Sequence, residues 1–187
     1  MQEKVTDAAL IYAELQQKLY LQQQRVFMPV LLEHRARGEW QEFIRRALLS
    51  YEVMPLAFLF YDEVPDNLKY DFCTQAYTHH GDSIPAVRKA VRGALKYGKP
   101  ILPEHLRELE YIEVYRAGEE PITKAAYRIS WTTQKEVALF FLNEWSGRHA
   151  NHLYKGKIKP RHVIAYTDDR KESEIMQYRH VYDIEEI

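Results

Sequence analysis

Two glutamates, Glu172 and Glu174, stand on either side of Ser173 in the segment "DDRKESEIMQY". If a strand begins here, the period-two alternation of side chains turns both carboxylates to one face, within several ångströms of each other. Like charges that close repel, a cost that proteins tolerate where a reaction needs both groups. The alternative is a solvated turn whose carboxylates are balanced by Arg170 and Lys171.

An arginine and two hydroxyl side chains stand on two strands predicted upstream. Arg116 lies near the end of the strand-like run "EYIEVYRAG", and Ser130 and Thr132 share one face of the next run, "AAYRISWTT". A guanidinium fork can grip a diphosphate, and a hydroxyl can hold a ribose or orient a carboxylate. The alternatives are a surface ion pair for Arg116 and hydroxyls that satisfy backbone groups where a strand meets a helix.

The order of these segments resembles that of the mono-ADP-ribosyltransferases of the Arg-Ser-Glu class, in the compact form of bacterial toxins and of proteins carried by bacteriophages. Arg116 resembles the arginine of the family's first strand. Ser130–Thr132 resembles its Ser-Thr-Ser element, and Glu172–Glu174 resembles its Glu-x-Glu element. The resemblance covers residues 110–187, and the helical half of the chain has no counterpart in it.

Two positions depart from the family pattern. Trp131 is bulkier than the usual central residue of the serine element, and we expect alternation to turn its indole into the packing of the sheet. Ala117 stands where the family often has a glycine directly after the arginine, a position at which the backbone approaches the cofactor closely.

The resemblance implies that NAD is the co-substrate. In this interpretation Glu174 stabilises the oxocarbenium-like cation that forms when nicotinamide leaves the ribose, and Ser130 steadies its carboxylate. Arg116 anchors the diphosphate, and Ala117 and Thr132 complete the contacts with NAD. No metal is required.

The resemblance also implies an acceptor, because the family's first glutamate selects a guanidinium. Glu172 would therefore orient an arginine of a target protein, with NAD hydrolysis as a side reaction. The expected partner is a host or defence protein, and the expected setting is the cytoplasm of a bacterium, with the protein encoded by a phage. Two alternatives stay open: an inactive binding or inhibitor protein with the same fold, and ADP-ribosylation of a nucleic-acid base.

The elements that must position these residues fall into two halves of an α+β chain. Residues 1–100 show helical spacing, best in "EWQEFIRRALLSY", and form a predicted docking or lid region. A helix is also predicted from residues 10–24, and two more are predicted to stop at Gly81 and Gly98. Residues 101–187 show six short strand-like runs and one intervening helix. For this helix a capping box of Thr133 and Glu136 is predicted, and a buried stripe that consists of Ala138, Phe141, Leu142 and Trp145. This pattern predicts a compact ADP-ribosyltransferase-like core of two packed sheets.

Composition narrows the function classes further. With 26 basic and 27 acidic residues, the chain has no overall electrostatic preference for nucleic acid, which makes a nucleic-acid partner unlikely. No secretory signal or membrane span is predicted, and the single cysteine indicates a reducing compartment. Cys73 is expected to be buried and inert, and "HHGD" at residues 79–82 is expected to be a capped helix end rather than a metal site.

Overall fold

The computed structural model describes residues 21–50, 53–144, 150–168 and 171–187. The chain is α+β, with helices in its first half and a six-stranded antiparallel sheet in its second half, which confirms the predicted class. It forms two compact units, one that ends at Arg88 and one formed by Lys89–Ile187. A functional division at residue 100 stays a prediction, and the helix predicted from residues 10–24 lies largely outside the described residues.

Five helices occupy the described residues up to Arg92. They are α1 (21–36), α2 (Trp40–Leu48), α3 (Met54–Ala57), α4 (Asp66–His80) and α5 (Pro85–Arg92). A 3₁₀ helix, Phe58–Glu63, follows α3 directly. No helix in the described part of the chain is both long and apolar enough to span a bilayer.

Helical periodicity predicts the packing of the first unit. Helix α2 buries Phe43 and Ala47, as its apolar spacing predicts. The rings of Phe43 and Phe58 both lie against Phe72 of α4, with centroid separations of 6.5 and 4.6 Å. Cys73 is fully buried beside them, and burial raises the pKa of its thiol to about 11, as expected for an inert core cysteine.

Of the two helix ends predicted at glycines, the one at Gly81 is correct and the one at Gly98 is wrong. Helix α4 ends at His80, and Gly81 follows with a φ of 55°, a conformation that glycine adopts without steric cost. Helix α5 ends at Arg92, six residues before the predicted stop at Gly98. Gly93 interrupts it because glycine is a poor helix former, and the chain continues as the 3₁₀ turn Ala94–Lys96.

Among the described residues, the second unit contains three further helices and all six strands. The helices are α6 (Glu104–Arg107), α7 (Ile122–Ala125) and α8 (Lys135–Asn143). The strands are β1 (Ile112–Gly118), β2 (Ser130–Thr132), β3 (His152–Ile158), β4 (Ala165–Thr167), β5 (Glu174–Met176) and β6 (Val181–Glu186). All six predicted strands are present, although β2 is shorter than predicted because Ala125 ends α7 and residues 126–129 form the turn that follows it, so that two helices rather than one lie between strands.

The six strands form a single sheet in the order β4-β5-β2-β1-β3-β6, and the prediction of two sheets is therefore wrong. Strand β1 connects the two sides of the sheet. It pairs on one side with β3, from Ile112 to Gly118, and on the other side with β2. The second connection is narrow: within the described residues, Tyr115 and Thr132 are the one directly opposed pair that joins β1 to β2. The sheet consequently has two three-stranded halves that meet at this pair.

One face of the sheet carries the hydrophobic core of the second unit. Alternating residues of β1, β2, β3 and β5 meet there, namely Ile112, Val114, Trp131, Tyr154, Ile158 and Ile175. Trp131 is 2 % exposed, so its predicted burial in the sheet packing is confirmed. The indole Nε1 donates a hydrogen bond to the carbonyl of Arg128, which satisfies its polar atom.

The predicted capping box at the start of α8 is wrong. The N-cap residue is Gln134, and no side chain caps the helix. Thr133 instead donates its backbone N–H to the carbonyl of Ser173, so a contact with a distant segment replaces the local cap. Ala138 is buried as predicted, and Trp145 of the predicted stripe lies outside the described residues.

Candidate functional site

The second and third motif segments meet on one face of the sheet. Thr132 is directly opposite Tyr115 on β1 and Glu174 on β5, and Ser130 is opposite Met176. Directly opposed residues of antiparallel strands share a face, so the side chains of Ser130, Thr132 and Glu174 lie on the same side of the sheet. The structure therefore brings three of the predicted site residues together.

Arg116 belongs by alternation to the other face, with Val114 and opposite the buried Tyr154 of β3. Its guanidinium turns to the junction of the two halves of the sheet. There Nη1 donates to the backbone carbonyl of Ser130 at 2.6 Å, and Nε donates to Oε1 of Glu120 at 2.8 Å. Within the described residues the third nitrogen, Nη2, has no hydrogen-bond partner, so one side of the fork is available to an anion.

Glu120 is a central residue of this site that sequence reasoning missed. Its side chain is 5 % exposed, and its carboxylate lies between Arg116 and Arg128, whose Nε is 3.3 Å from Oε2. Burial by itself raises the pKa of Glu120, but the charge and hydrogen bond of Arg116, a backbone N–H and Arg128 outweigh burial and lower it. The ion pair of Arg116 is therefore largely buried, with Arg116 13 % and Glu120 5 % exposed, and is not the surface pair considered above.

A glycine makes room for this carboxylate. A Cβ atom at Gly118 would lie 2.7 to 2.8 Å from the carboxylate atoms of Glu120, closer than real Cβ contacts come. The backbone carbonyl of Glu120 also accepts a hydrogen bond of 2.5 Å from the hydroxyl of Tyr154. The sequence signal for Glu120 was a glycine two residues before an acidic residue, which is too common to single it out.

Glu174 is the first residue of β5 and is 5 % exposed. It is opposite Thr132 on one side and Thr167 of β4 on the other, so two threonine-bearing strands flank it. A carboxylate removed from water acts on a nearby charge more strongly than an exposed one, because the local dielectric constant is lower. This position suits a group that stabilises a developing cation.

Glu172 lies outside the strand, contrary to the alternation argument. β5 begins at Glu174, and the intervening Ser173 has a φ of 43°. Lys171 also has a positive φ, 58°, so two left-handed residues flank Glu172. The period-two rule does not extend across such backbone, and the prediction that both glutamates share a strand face is wrong. Such conformations cost of order 1 kcal/mol each and cluster at functional sites.

Hydrogen bonds from the β2–α8 junction hold this loop in place. The hydroxyl of Thr132 donates to the carbonyl of Glu172 at 2.5 Å and accepts the backbone N–H of Gln134 at 3.0 Å. The side-chain amide of Gln134 donates to the hydroxyl of Ser173 at 2.6 Å. Oδ1 of Asp168 accepts both the N–H and the hydroxyl of Ser173, at 2.9 and 3.0 Å. The serine-like and glutamate-like segments thus form one connected structure.

Some of the side-chain groups predicted to contact NAD already form hydrogen bonds within the protein. The hydroxyl of Thr132 donates a hydrogen bond to the carbonyl of Glu172, and the guanidinium of Arg116 donates to Glu120 and to the carbonyl of Ser130. Ala117 is half-buried and is opposite Leu153 on β3. Ser130 is half-buried, and its hydroxyl lies on the Glu174 face. No group of three or more metal-ligating side chains stands together among residues 21–50, 53–144, 150–168 and 171–187.

No protein-family model, no curated protein and no solved structure matches this chain. A function must therefore be argued from the residues and their geometry. The site contains the buried carboxylate of Glu174 beside hydroxyl groups and the largely buried Arg116 at the centre of the sheet. A second carboxylate, that of Glu172, lies on a loop held by hydrogen bonds.

Proposed function

We propose that the chain is an NAD-dependent mono-ADP-ribosyltransferase that modifies an arginine of a target protein. The observation that supports this function best is the position of Glu174, a buried carboxylate directly opposite Thr132 and on the same face as Ser130. Cleavage of the nicotinamide–ribose bond develops positive charge on the sugar, and a fixed carboxylate in a site of low dielectric constant lowers that barrier.

The proposed reaction needs no further reactant. The bond between C1′ of the ribose and the nicotinamide nitrogen breaks, and neutral nicotinamide leaves with the bonding electrons. Glu174 stabilises the cation, with Ser130 orienting its carboxylate. A guanidinium nitrogen of the target arginine then bonds to C1′ and gives up a proton, which Glu172 accepts. When water is the acceptor, the same site hydrolyses NAD.

In this proposal Arg116 contacts the diphosphate of NAD with only part of its guanidinium. Because Nε and Nη1 already serve Glu120 and Ser130, contact with an anion would come through Nη2 rather than through both arms of the fork. The Glu120 carboxylate also offsets its charge. Arg116 would then position the diphosphate next to Ser130 as a fixed donor, since its ion pair holds the side chain in one orientation.

A second candidate is an inactive binding or inhibitor protein with this fold. The buried ion pair of Arg116 favours it, because a guanidinium held by Glu120 and by the Ser130 carbonyl has a structural role that requires no ligand. In this alternative the glutamates would serve as acidic contacts for a partner.

The test compares the wild-type protein with Glu174→Ala and Glu174→Gln, using labelled NAD and a bacterial lysate. Free nicotinamide, labelled protein and labelled nucleic acid are followed in parallel. Glu185→Gln is a matched control, because Glu185 is an exposed glutamate on β6. Circular dichroism confirms that each variant is folded.

We expect a labelled protein band that disappears with both Glu174 variants and persists with Glu185→Gln. The loss should be at least about a hundredfold, the usual effect of removing an electrostatic contact to a transition state. Nicotinamide release without label would indicate a glycohydrolase, and label on nucleic acid would move the acceptor to a base. Silence in all three measurements would favour the binding protein.

A further inference from the structure

Two tyrosines and two arginines from separate segments stack on each other in the second unit. The guanidinium of Arg92 lies 4.1 Å from the ring centre of Tyr178. That of Arg179 lies 5.4 Å from the same ring and 4.6 Å from the ring of Tyr127. The tyrosine rings are 6.4 Å apart and nearly perpendicular. We call these four residues the stacking cluster.

The stacking cluster faces solvent. Tyr127 is 46 % exposed, and Arg92 and Arg179 are exposed as well, while Tyr178 is half-buried between the arginines. Large aromatic surfaces are usually buried, and here cations cover only part of them. Part of the Tyr127 ring and of the two guanidinium groups is therefore exposed to another flat, electron-rich group.

A buried glutamine fixes the geometry of the cluster. Gln177 is 0 % exposed, and its side-chain amide donates to the carbonyls of Ala126 and Arg128. Its Oε1 accepts the backbone N–H of His180 at 2.9 Å. Arg179 lies inside this turn with a φ of 66° and donates its N–H to Ala126 at 3.0 Å. The turn is thus fastened to the segment that carries Tyr127, so a ligand would meet a preformed surface.

The segments that build the cluster are basic although the whole chain is not. Residues 89–103, which include Arg92, contain four lysines and arginines and no acidic residue. Residues 122–128, which include Tyr127, contain Lys124 and Arg128 and no acidic residue, and Arg128 is paired with Glu120. The near-zero net charge of the chain, −1, therefore hides a local excess of positive charge.

We propose that the stacking cluster and its basic flanks bind single-stranded nucleic acid. Unpaired bases have π faces that stack on tyrosine rings and on guanidinium planes, and their phosphates are attracted to lysines and arginines. The base faces of a duplex are stacked inside it, and an acidic peptide has no bases. Neither ligand would therefore use both the stacking cluster and the positive charge beside it. This inference is independent of the proposed function, because binding is measured without NAD.

The test is fluorescence anisotropy of the full chain with labelled oligonucleotides of about 12 nucleotides, the length that one such site covers. Single-stranded RNA, single-stranded DNA and a duplex of the same sequence are compared over a range of salt concentrations. The variants are Tyr178→Ala, Tyr127→Ala and Arg179→Asn, the last chosen because asparagine tolerates positive φ. Thermal unfolding verifies that each variant is folded.

A second cation–π pair supplies the matched controls. Lys159 lies 5.0 Å from the ring centre of Tyr111, which is 37 % exposed, so the pair resembles a member of the cluster in chemistry and exposure. The variants Tyr111→Ala and Lys159→Ala remove one ring or one charge outside the cluster. Arg179→Lys keeps the charge and removes the planar face, which separates stacking from simple attraction.

We expect single strands to bind more tightly than the duplex, with affinity falling as salt rises along a log–log slope of about −2 to −3, as three or four phosphate contacts give. Each tyrosine variant should weaken binding about tenfold, and the control variants less than about twofold. Preference for RNA or DNA would identify the natural strand. Equal binding by cluster and control variants, no binding at low salt, or equal displacement by polyglutamate would overturn the proposal.

Discussion

Nη1 of Arg116 donates a hydrogen bond of 2.6 Å to the backbone carbonyl of Ser130, across the line where the two halves of the sheet meet. The opposed pair Tyr115–Thr132 lies next to this bond. A side chain thus continues the connection between β1 and β2 beside the narrow backbone pairing. Arg116 therefore stabilises the sheet in addition to any contact with a ligand. Substitutions of the residues around it should affect both the stability of the fold and the activity.

Glu120→Gln should lower the free energy of unfolding at pH 7 by about 3 kcal/mol, because it leaves Arg116 as a buried cation without its partner charge. Equilibrium unfolding in urea measures the loss. The exposed neighbour Glu119 provides the control, and Glu119→Gln should change the stability by less than about 0.5 kcal/mol.

The same variant should change the acid sensitivity of the protein. The pKa of Glu120 in the folded state lies below its ordinary value of 4.5, so the carboxylate stabilises the fold above that pH. This contribution is lost as the pH falls through the lowered pKa. The stability difference between wild type and Glu120→Gln should therefore shrink below about pH 4. A difference that stays constant down to pH 2 would remove Glu120 from this role.

Gly118→Ala should disturb the same ion pair without touching a charged residue. The new Cβ would stand 2.7 Å from Oε1 of Glu120, so the carboxylate must move away from Arg116. We expect a loss of about 1 to 3 kcal/mol in unfolding experiments and reduced nicotinamide release. Gly93→Ala is the control, since its Cβ would meet only the Ala90 carbonyl at 3.6 Å. Equal stability of the two variants would contradict the argument.

The parts of the fold that sequence predicted are those that local pattern determines. The apolar spacing that buries Phe43 and Ala47, the glycine after α4 and the alternation that buries Trp131 each depend on neighbours within a turn or two. The resemblance did not state that Ser130 and Glu174 lie on adjacent strands, and the role of Ser130 beside the Glu174 carboxylate stays a prediction.

The parts that sequence missed depend on contacts between distant segments. The backbone of Ser173 is left-handed because Asp168 and Gln134 hold it there, and no local propensity of serine predicts that conformation. Glu120 is buried because the α7 turn brings Arg128 back toward Arg116. Arg116 lies on β1 and Arg128 on the loop before β2, so spacing alone does not identify them as partners of one carboxylate.

Thr132→Val should loosen the loop that carries Glu172. The replacement keeps the shape of the side chain but removes the hydroxyl that donates to the Glu172 carbonyl and accepts the Gln134 N–H. We expect a loss of about 1 to 2 kcal/mol and faster amide exchange at Gln134. Thr133→Val is the control, because that residue contacts Ser173 through its backbone. If the two variants behave alike, the hydroxyl of Thr132 has no special role.

Glu172→Gln should separate the two reactions of the proposed enzyme. Its carboxylate lies outside β5, on a loop held by Thr132, while Glu174 lies inside the sheet. Only Glu174 would act on the cation that transfer and hydrolysis share. Transfer to a protein arginine should therefore fall about a hundredfold, as loss of a general base predicts, while hydrolysis of NAD changes by less than about threefold.

The measurement is nicotinamide release with and without a guanidinium-bearing acceptor, such as agmatine, for the wild type, Glu172→Gln and Thr132→Val. If the loop positions Glu172, Thr132→Val should lower transfer in the same direction but by a smaller factor, since the carboxylate is displaced rather than removed. An equal loss of both reactions in Glu172→Gln would place its carboxylate at the sugar instead. Unchanged transfer would exclude an arginine-selecting role, because no proton acceptor would then have been lost.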